Sequence, residues 1–346
     1  MRLVTYLAAE GPRSGCLLDN DGFVLDFAHA HTERYAEPCP AALQQVVQLA
    51  EAGADALDHA YELARLAPSL TGKCVRPVQG LTLLAPIPQP PQMRDFLCFE
   101  KHLHQGFQQA RRLRAALTSD PDAAMAQMER DGIFKIPDAW YERPLFYHPS
   151  RFSVTGPEAT VTWPSYSRRM DFELEFGIYI GKSGKDIARE KARDHIFGYT
   201  IFNDFSARDE QVRDMPGLLG PGKGKDFDGA NAMGPCLVTA DEIPDPYNLE
   251  MAVRVNGEEW GRGNTRDMHW KFEDLISHIS RSETLHAGEF FGSGTVGDGC
   301  GMEHDRFLQD GDLVELEVER IGILRNRVIA SQVEDHGSAS PKGSQP

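Results

Sequence analysis

Residues 170–187, MDFELEFGIYIGKSGKDI, constrain this chain more than any other stretch. Acidic Asp171, Glu173 and Glu175 alternate with apolar Phe172, Leu174 and Phe176. Successive side chains of a strand point to opposite faces, so this spacing puts the carboxylates on one face and the apolar groups on the other. Taken alone, the pattern predicts a half-buried strand with a wet acidic face. Electrostatics offers a second reading. Like charges on one face repel, and a cation seated among them relieves the repulsion; carboxylate oxygens are the hard ligands that Mg²⁺, Mn²⁺ or Ca²⁺ prefer.

A chain of 346 residues has room for one large domain or two, and a small first domain with a larger second is the expectation. Its 36 basic and 52 acidic side chains leave a net charge of −16, which argues against nucleic acid or an anionic membrane as partner. No apolar run approaches the roughly 20 residues that a membrane span requires, and the Met1 end lacks the basic-then-apolar order of a signal peptide. A cytoplasmic location is therefore expected. Six scattered cysteines without a C-x-x-C pair speak against a zinc knuckle or a thioredoxin-like site and for reduced, buried thiols. Cys98 and Cys300 lie near the stretches discussed below, but no neighbouring feature would lower their pKa, so packing is their expected role.

Along the chain, residues 3–6, 15–18 and 23–25 read as short strands, with Asp21-Gly22 as a hairpin turn. Residues 40–66 carry helical spacing with a break at Gly53. The segment Ala85-Pro86-Ile87-Pro88-Gln89-Pro90-Pro91 cannot lie inside a helix or a central strand, and it marks the expected domain boundary. Asp95 is expected where a helix begins or on an active-site loop. A helix should follow over about 99–114, and Asp120 with Pro121 should cap another over 122–130. Residues 216–228 approach a phosphate-cradling loop, but Gly224 stands where Ser or Thr must hold Mg²⁺. They are read instead as a mobile loop carrying Lys225, by default solvated. The glycine-dense stretch 290–305 lets backbone approach a ligand closely.

Three motifs stand in order: Asp171-Phe172-Glu173-Leu174-Glu175 with Gly181-Lys182, Asn203-Asp204-Phe205-Ser206-Ala207-Arg208-Asp209 with Gln211, and Gly292-Ser293-Gly294-Thr295. With Asp95 they span most of the chain, and together they resemble the fumarylacetoacetate hydrolase family. The resemblance implies that Glu173, Glu175 and Asp204 hold a divalent cation, Mg²⁺ or else Mn²⁺ or Ca²⁺, with Asp95 completing the site. It makes His102 the catalytic base and Glu303 the carboxylate that orients it. Lys225, Arg208 and Gln211 become substrate and transition-state contacts, and Thr295 a carboxylate-binding hydroxyl. Arg111 and Tyr147 fall near further substrate contacts.

The implied fold is mixed and β-rich (α+β). A small N-terminal β-rich domain (1–90) precedes a catalytic domain (91–333) with a rolled mixed sheet, and 334–346 form a disordered tail. The implied activity is metal-dependent hydrolysis of a C–C bond in a small 2,4-dioxo acid by a homodimer. A β-keto-acid decarboxylase or a dienoate isomerase on the same site is the alternative. A non-enzymatic ligand-binding relic is a third reading, against which the joint presence of His102 and Glu303 speaks. Two departures bear on substrate: Leu97 stands where fumarylacetoacetases have an aromatic residue, and the insertion 112–139 is longer and more polar than theirs.

Overall fold

Residues 170–187 do not form one uninterrupted strand. In the computed structural model, which describes residues 1–116 and 118–331, Met170–Asp171 pairs with Ser206–Ala207 in a small ladder of its own, and Leu174–Ile180 enters a large sheet. Phe172 and Glu173 leave the ladder between them, and Glu173 meets Cys300 through an isolated bridge. The reason lies in Asp171, whose carboxylate is turned inward to accept from Gly301 N at 2.8 Å, Met302 N at 3.0 Å and Arg208 Nε at 2.8 Å.

The large sheet runs, by neighbour, through Val75–Pro77, Phe23–Asp26, Gly11–Leu18, Arg2–Ala8, Asn231–Thr239, Ile196–Asp204, Leu174–Ile180, Phe290–Gly292, Met93–Phe96 and Phe146–Tyr147. Along this path the pairs are antiparallel except Phe290–Gly292 with Met93–Phe96, which run parallel. A second, five-stranded sheet orders Glu258–Asn264, Glu250–Val255, Leu313–Val318, Gly322–Ile329 and Thr160–Thr162. Leu174, Phe176, Ile178 and Ile180 face this second sheet and share one core with Met251, Val253, Leu316 and Leu324. The mixed, β-rich class expected from the sequence is thus the class observed.

The half-buried strand with a wet acidic face is not found. Glu175, Gly177 and Tyr179 point the other way, and Tyr179 packs with Phe202 and Phe290 in a second core to which Leu3, Leu25, Leu49 and Leu63 belong. Helices Phe27–Tyr35, Val46–Ala52 and Ala54–Leu66 cover that side, with Gly53 in the left-handed region (φ 77°) where the last two part. The strand is therefore covered on both faces, and Glu175 is fully buried.

The proline-rich segment does not interrupt the large sheet. Leu3 pairs with Leu237, carrying the sheet from N-terminal strands into later ones, and Thr5 Oγ1 donates to Pro86 O at 2.7 Å. Helix Glu100–Ala115 begins one residue beyond the expected start, and Asp120 caps Pro121–Arg130 by accepting from Ala123 N at 3.0 Å. Trp140 is buried and its Nε1 donates to Leu97 O at 2.6 Å, while Trp270 Nε1 donates to Trp140 O at 2.9 Å. The first bond fastens the segment after the insertion to the loop between Asp95 and His102, and the second ties it to Trp270. The expected tail, 334–346, lies outside the described residues. Among the described residues no helix is long and apolar enough to cross a membrane.

Candidate active site

Adjacent strand ends assemble the site. Asp204 closes Ile196–Asp204, Glu175 lies near the start of the neighbouring Leu174–Ile180, and Asp95 sits inside Met93–Phe96, a strand rather than the loop or helix start expected of it. Leu174 pairs with Asn203 and Glu175 with Phe202, so Glu175 and Asp204 project from the same face of the sheet. Gly292 pairs with Asp95 in the parallel register. A Cβ at Gly292 would collide with the Asp95 carboxylate, so only glycine leaves it space there.

Asp95, Glu175 and Asp204 bring one oxygen each to within 4.8 Å of one another. All three are buried. Burial raises the Asp95 carboxyl and the Asp204 charge adds to it; Glu175 rises through burial and the charges of Asp95, Glu173 and Asp204. Burial lifts Asp204 to about 6 against the pull of Lys225. Glu175 Oε2 and Asp204 Oδ1 are buried without a hydrogen-bond donor. Orphaned oxygens, crowded carboxylates and a glycine-cleared space together fit an oxygen-seeking divalent cation.

Glu173, expected among the cation ligands, is not in that trio. Its Oε2 lies 2.5 Å from Lys225 Nζ and its Oε1 2.8 Å from Arg208 Nη2. Burial alone would raise Glu173, but Lys225 and Arg208 outweigh it and hold the carboxyl well below its ordinary range. Asn203 Oδ1 accepts from Glu173 N at 3.0 Å and fixes the backbone that has left the ladder.

Lys225 is 3% exposed, which overturns the default of a solvated lysine. Its Nζ also lies 2.7 Å from Asp204 Oδ2 and donates to Asp204 O at 3.0 Å. Burial would lower the ammonium, but Asp204 and Glu173 outweigh it and raise the group. Tyr147, paired with Asp95 across the edge ladder, donates from its hydroxyl to Asp204 Oδ2 at 2.6 Å. Thr295 Oγ1 donates to Glu175 Oε1 at 3.3 Å, and Arg208 Nη1 donates to Gln211 Oε1 at 3.0 Å. Arg111 is engaged elsewhere: its Nη1 donates to Phe134 O at 2.8 Å, inside the insertion.

On the rim, His102 Nδ1 meets Glu303 Oε1 at 2.8 Å. A carboxylate only accepts, so Nδ1 carries the proton, and in the neutral ring the lone pair is on Nε2. The Glu303 side chain is fully buried, and its Oε2 accepts from Cys300 N at 3.1 Å. Cys98 and Cys300 are buried, and burial pushes both thiols up. Sequence reasoning did not single out the structural parts of Asp171 and Asn203. Asp171 showed only as one beat of the alternation, and nothing in the spacing distinguishes an inward-turned anchor from its neighbours.

Comparison with known proteins follows the same lines. The family model described as fumarylacetoacetate (FAA) hydrolase C-terminal matches residues 116–329. The mitochondrial oxaloacetate tautomerase FAHD2A of Homo sapiens is 39% identical over 191 residues, 54% of this chain and 60% of that one. The chain therefore spans about 60% of the length of that curated relative. Among solved structures, a fumarylacetoacetate hydrolase from psychrophilic Exiguobacterium antarcticum superposes with a TM-score of 0.68 at 24% identity, covering 96% of this chain and all of that one. Maleylpyruvate hydrolase from Sphingobium sp. SYK-6, in complex with manganese(II) ion and pyruvate, gives a TM-score of 0.67 at 22% identity over 96% of this chain and all of that one.

Proposed function

Because the chain belongs to the fumarylacetoacetate hydrolase family, we propose that it hydrolyses a C–C bond between two carbonyls of a small 2,4-dioxo acid. The observation that carries this reading is the His102–Glu303 pair at 2.8 Å beside the buried carboxylates. Hydrolysis needs a base for water, and a pure binding site does not.

Asp95, Glu175 and Asp204 would hold a divalent cation, which supplies Lewis acidity and a template for paired oxygens. His102 Nε2 takes a proton from water as its oxygen adds to the acyl carbonyl, while Glu303 stabilises the imidazolium that forms. The C–C bond then breaks, its electron pair leaves as an enolate, and the proton held on His102 is returned to that fragment. Lys225 and Arg208, both buried cations, donate to the developing oxyanion and the substrate carboxylate, an electrostatic contribution worth several kcal/mol. Gln211 and Thr295 complete the polar lining.

A second reading is keto–enol tautomerisation of an oxo-dicarboxylate, favoured by the name of the human relative, oxaloacetate tautomerase. It uses the same base for a proton on carbon and breaks no bond between carbons. Both readings are tested by incubating a panel of 2,4-dioxo acids and oxaloacetate with the protein in Mg²⁺ or Mn²⁺ and in chelator. Two carboxylic fragments support hydrolysis. Loss of enol absorbance without fragments supports the tautomerase and sinks the hydrolase. The same reading makes the active species a homodimer in the cytoplasm, and sedimentation velocity checks the first part.

A further inference from the structure

A second group of donors lies beside the carboxylates, and its chemistry is different. His102, Cys300 and Glu303 each bring a ligand atom to within 4.8 Å of the other two. The Cys300 residue is fully buried, as is the Glu303 side chain. Backbone holds the sulfur there. Cys300 bridges to Glu173 and opens the turn Gly301–His304, where Glu303 Oε2 accepts from Cys300 N at 3.1 Å. His102 reaches the same point from helix Glu100–Ala115. Nitrogen, sulfur and oxygen thus converge from two distant segments.

We propose that this cluster is a soft-cation site that takes Zn²⁺ and, in doing so, silences the base. Mixed nitrogen, sulfur and oxygen donors suit Zn²⁺, whereas Mg²⁺ takes oxygen alone. Zinc bonds of about 2.0–2.3 Å give donor spacings of roughly 3.3–3.8 Å in a tetrahedron, so closure from the present geometry needs shifts of about 1 Å. Binding releases the thiol proton to solvent and shifts the Nδ1 proton of His102 to Nε2, so the His102–Glu303 hydrogen bond gives way to a bond from each to the ion, and the fourth position is left for water. The all-oxygen trio Asp95, Glu175 and Asp204 has the opposite preference, so neighbouring sites sort cations by hardness. Inhibition by the ion rests on the base role proposed for His102; its binding does not.

Cobalt(II) is the probe, added to the full chain in excess Mg²⁺. One equivalent should produce a near-ultraviolet thiolate-to-cobalt charge-transfer band that persists in Glu175→Gln and disappears in Cys300→Ser. Serine is close to cysteine in size and removes the soft ligand. Zinc should bleach the band stoichiometrically and inhibit turnover, and Cys300→Ser should need about tenfold more zinc, or beyond, for equal inhibition. Absence of the band in the parent protein overturns the site however the variants fold, and a band that survives in Cys300→Ser overturns it as well. A band with undiminished turnover upholds the site and removes His102 from the role of base.

Discussion

The His102 ring and the Glu303 carboxylate meet at 2.8 Å across 201 positions of sequence. That contact fixes which ring nitrogen is free, and the chemistry follows from it.

Glu303→Gln replaces a carboxylate with an amide that cannot stabilise an imidazolium. The expected result is a fall in kcat of about 10²- to 10⁴-fold with KM changed little. Steady-state kinetics on an acylpyruvate reads both constants. His102→Ala should abolish hydrolysis while largely sparing decarboxylation of oxaloacetate, and parental hydrolysis in that variant would sink the dyad.

Glu175 and Glu173 should respond in opposite ways to the same isosteric change. Glu175→Gln removes one of three mutually repelling carboxylates, so the metal-free protein should keep or gain thermal stability while cation affinity drops by about 100-fold or more. Glu173→Gln removes one of two carboxylate partners from each of buried Lys225 and Arg208, which keep Asp204 and Asp171, and should cost up to about 3–5 kcal/mol of stability. Calorimetric metal titration and denaturant unfolding of both variants decide the matter.

Protons and cation should compete at the trio. Asp204 rises from an ordinary 3.8 to about 6, so between these values the folded metal-free chain holds a proton that the unfolded chain has lost. Its stabilising contribution is present at the acid end of this window and lost as pH rises through it. A bound cation replaces the proton, so the gain in Tm on adding Mg²⁺ or Mn²⁺ should grow from pH 4 to pH 6 and be accompanied by proton release. A metal-induced gain that shrinks with rising pH would contradict the assignment.

Gly292→Ala places a methyl group against Asp95 without altering any charge. Displacing that carboxylate should weaken cation binding by roughly 10- to 100-fold, the scale seen when a ligand's support is lost. Unaltered affinity, measured by titration of the folded variant, would show that Asp95 lies outside the coordination shell.

Much of this architecture is legible in the sequence. The alternation 171–176 located a strand, and Gly53 and Asp120 located helix boundaries. What could not be read depends on distant partners. Glu173 and Glu175 look equivalent by period, yet Cys300 and Asn203 pull the former out of the ladder. Asp95 carries no periodic signal, because its strand is short and gains its place from parallel pairing with Phe290–Gly292. Lys225 reads as solvated in a glycine-rich loop, but Glu173 and Asp204 draw it inward, a consequence of charge that composition does not reveal.

The join between Leu3 and Leu237 also decides where the chain tolerates cutting. A fragment starting after the prolines would leave residues 233–239 of that strand as a bare edge, since Val154–Thr155 covers only Asn231 and Ala232, and would open their donors and acceptors to any extended peptide. Such a fragment should precipitate rather than turn over substrate, and the missing residues 1–91 should rescue it when supplied as a separate polypeptide.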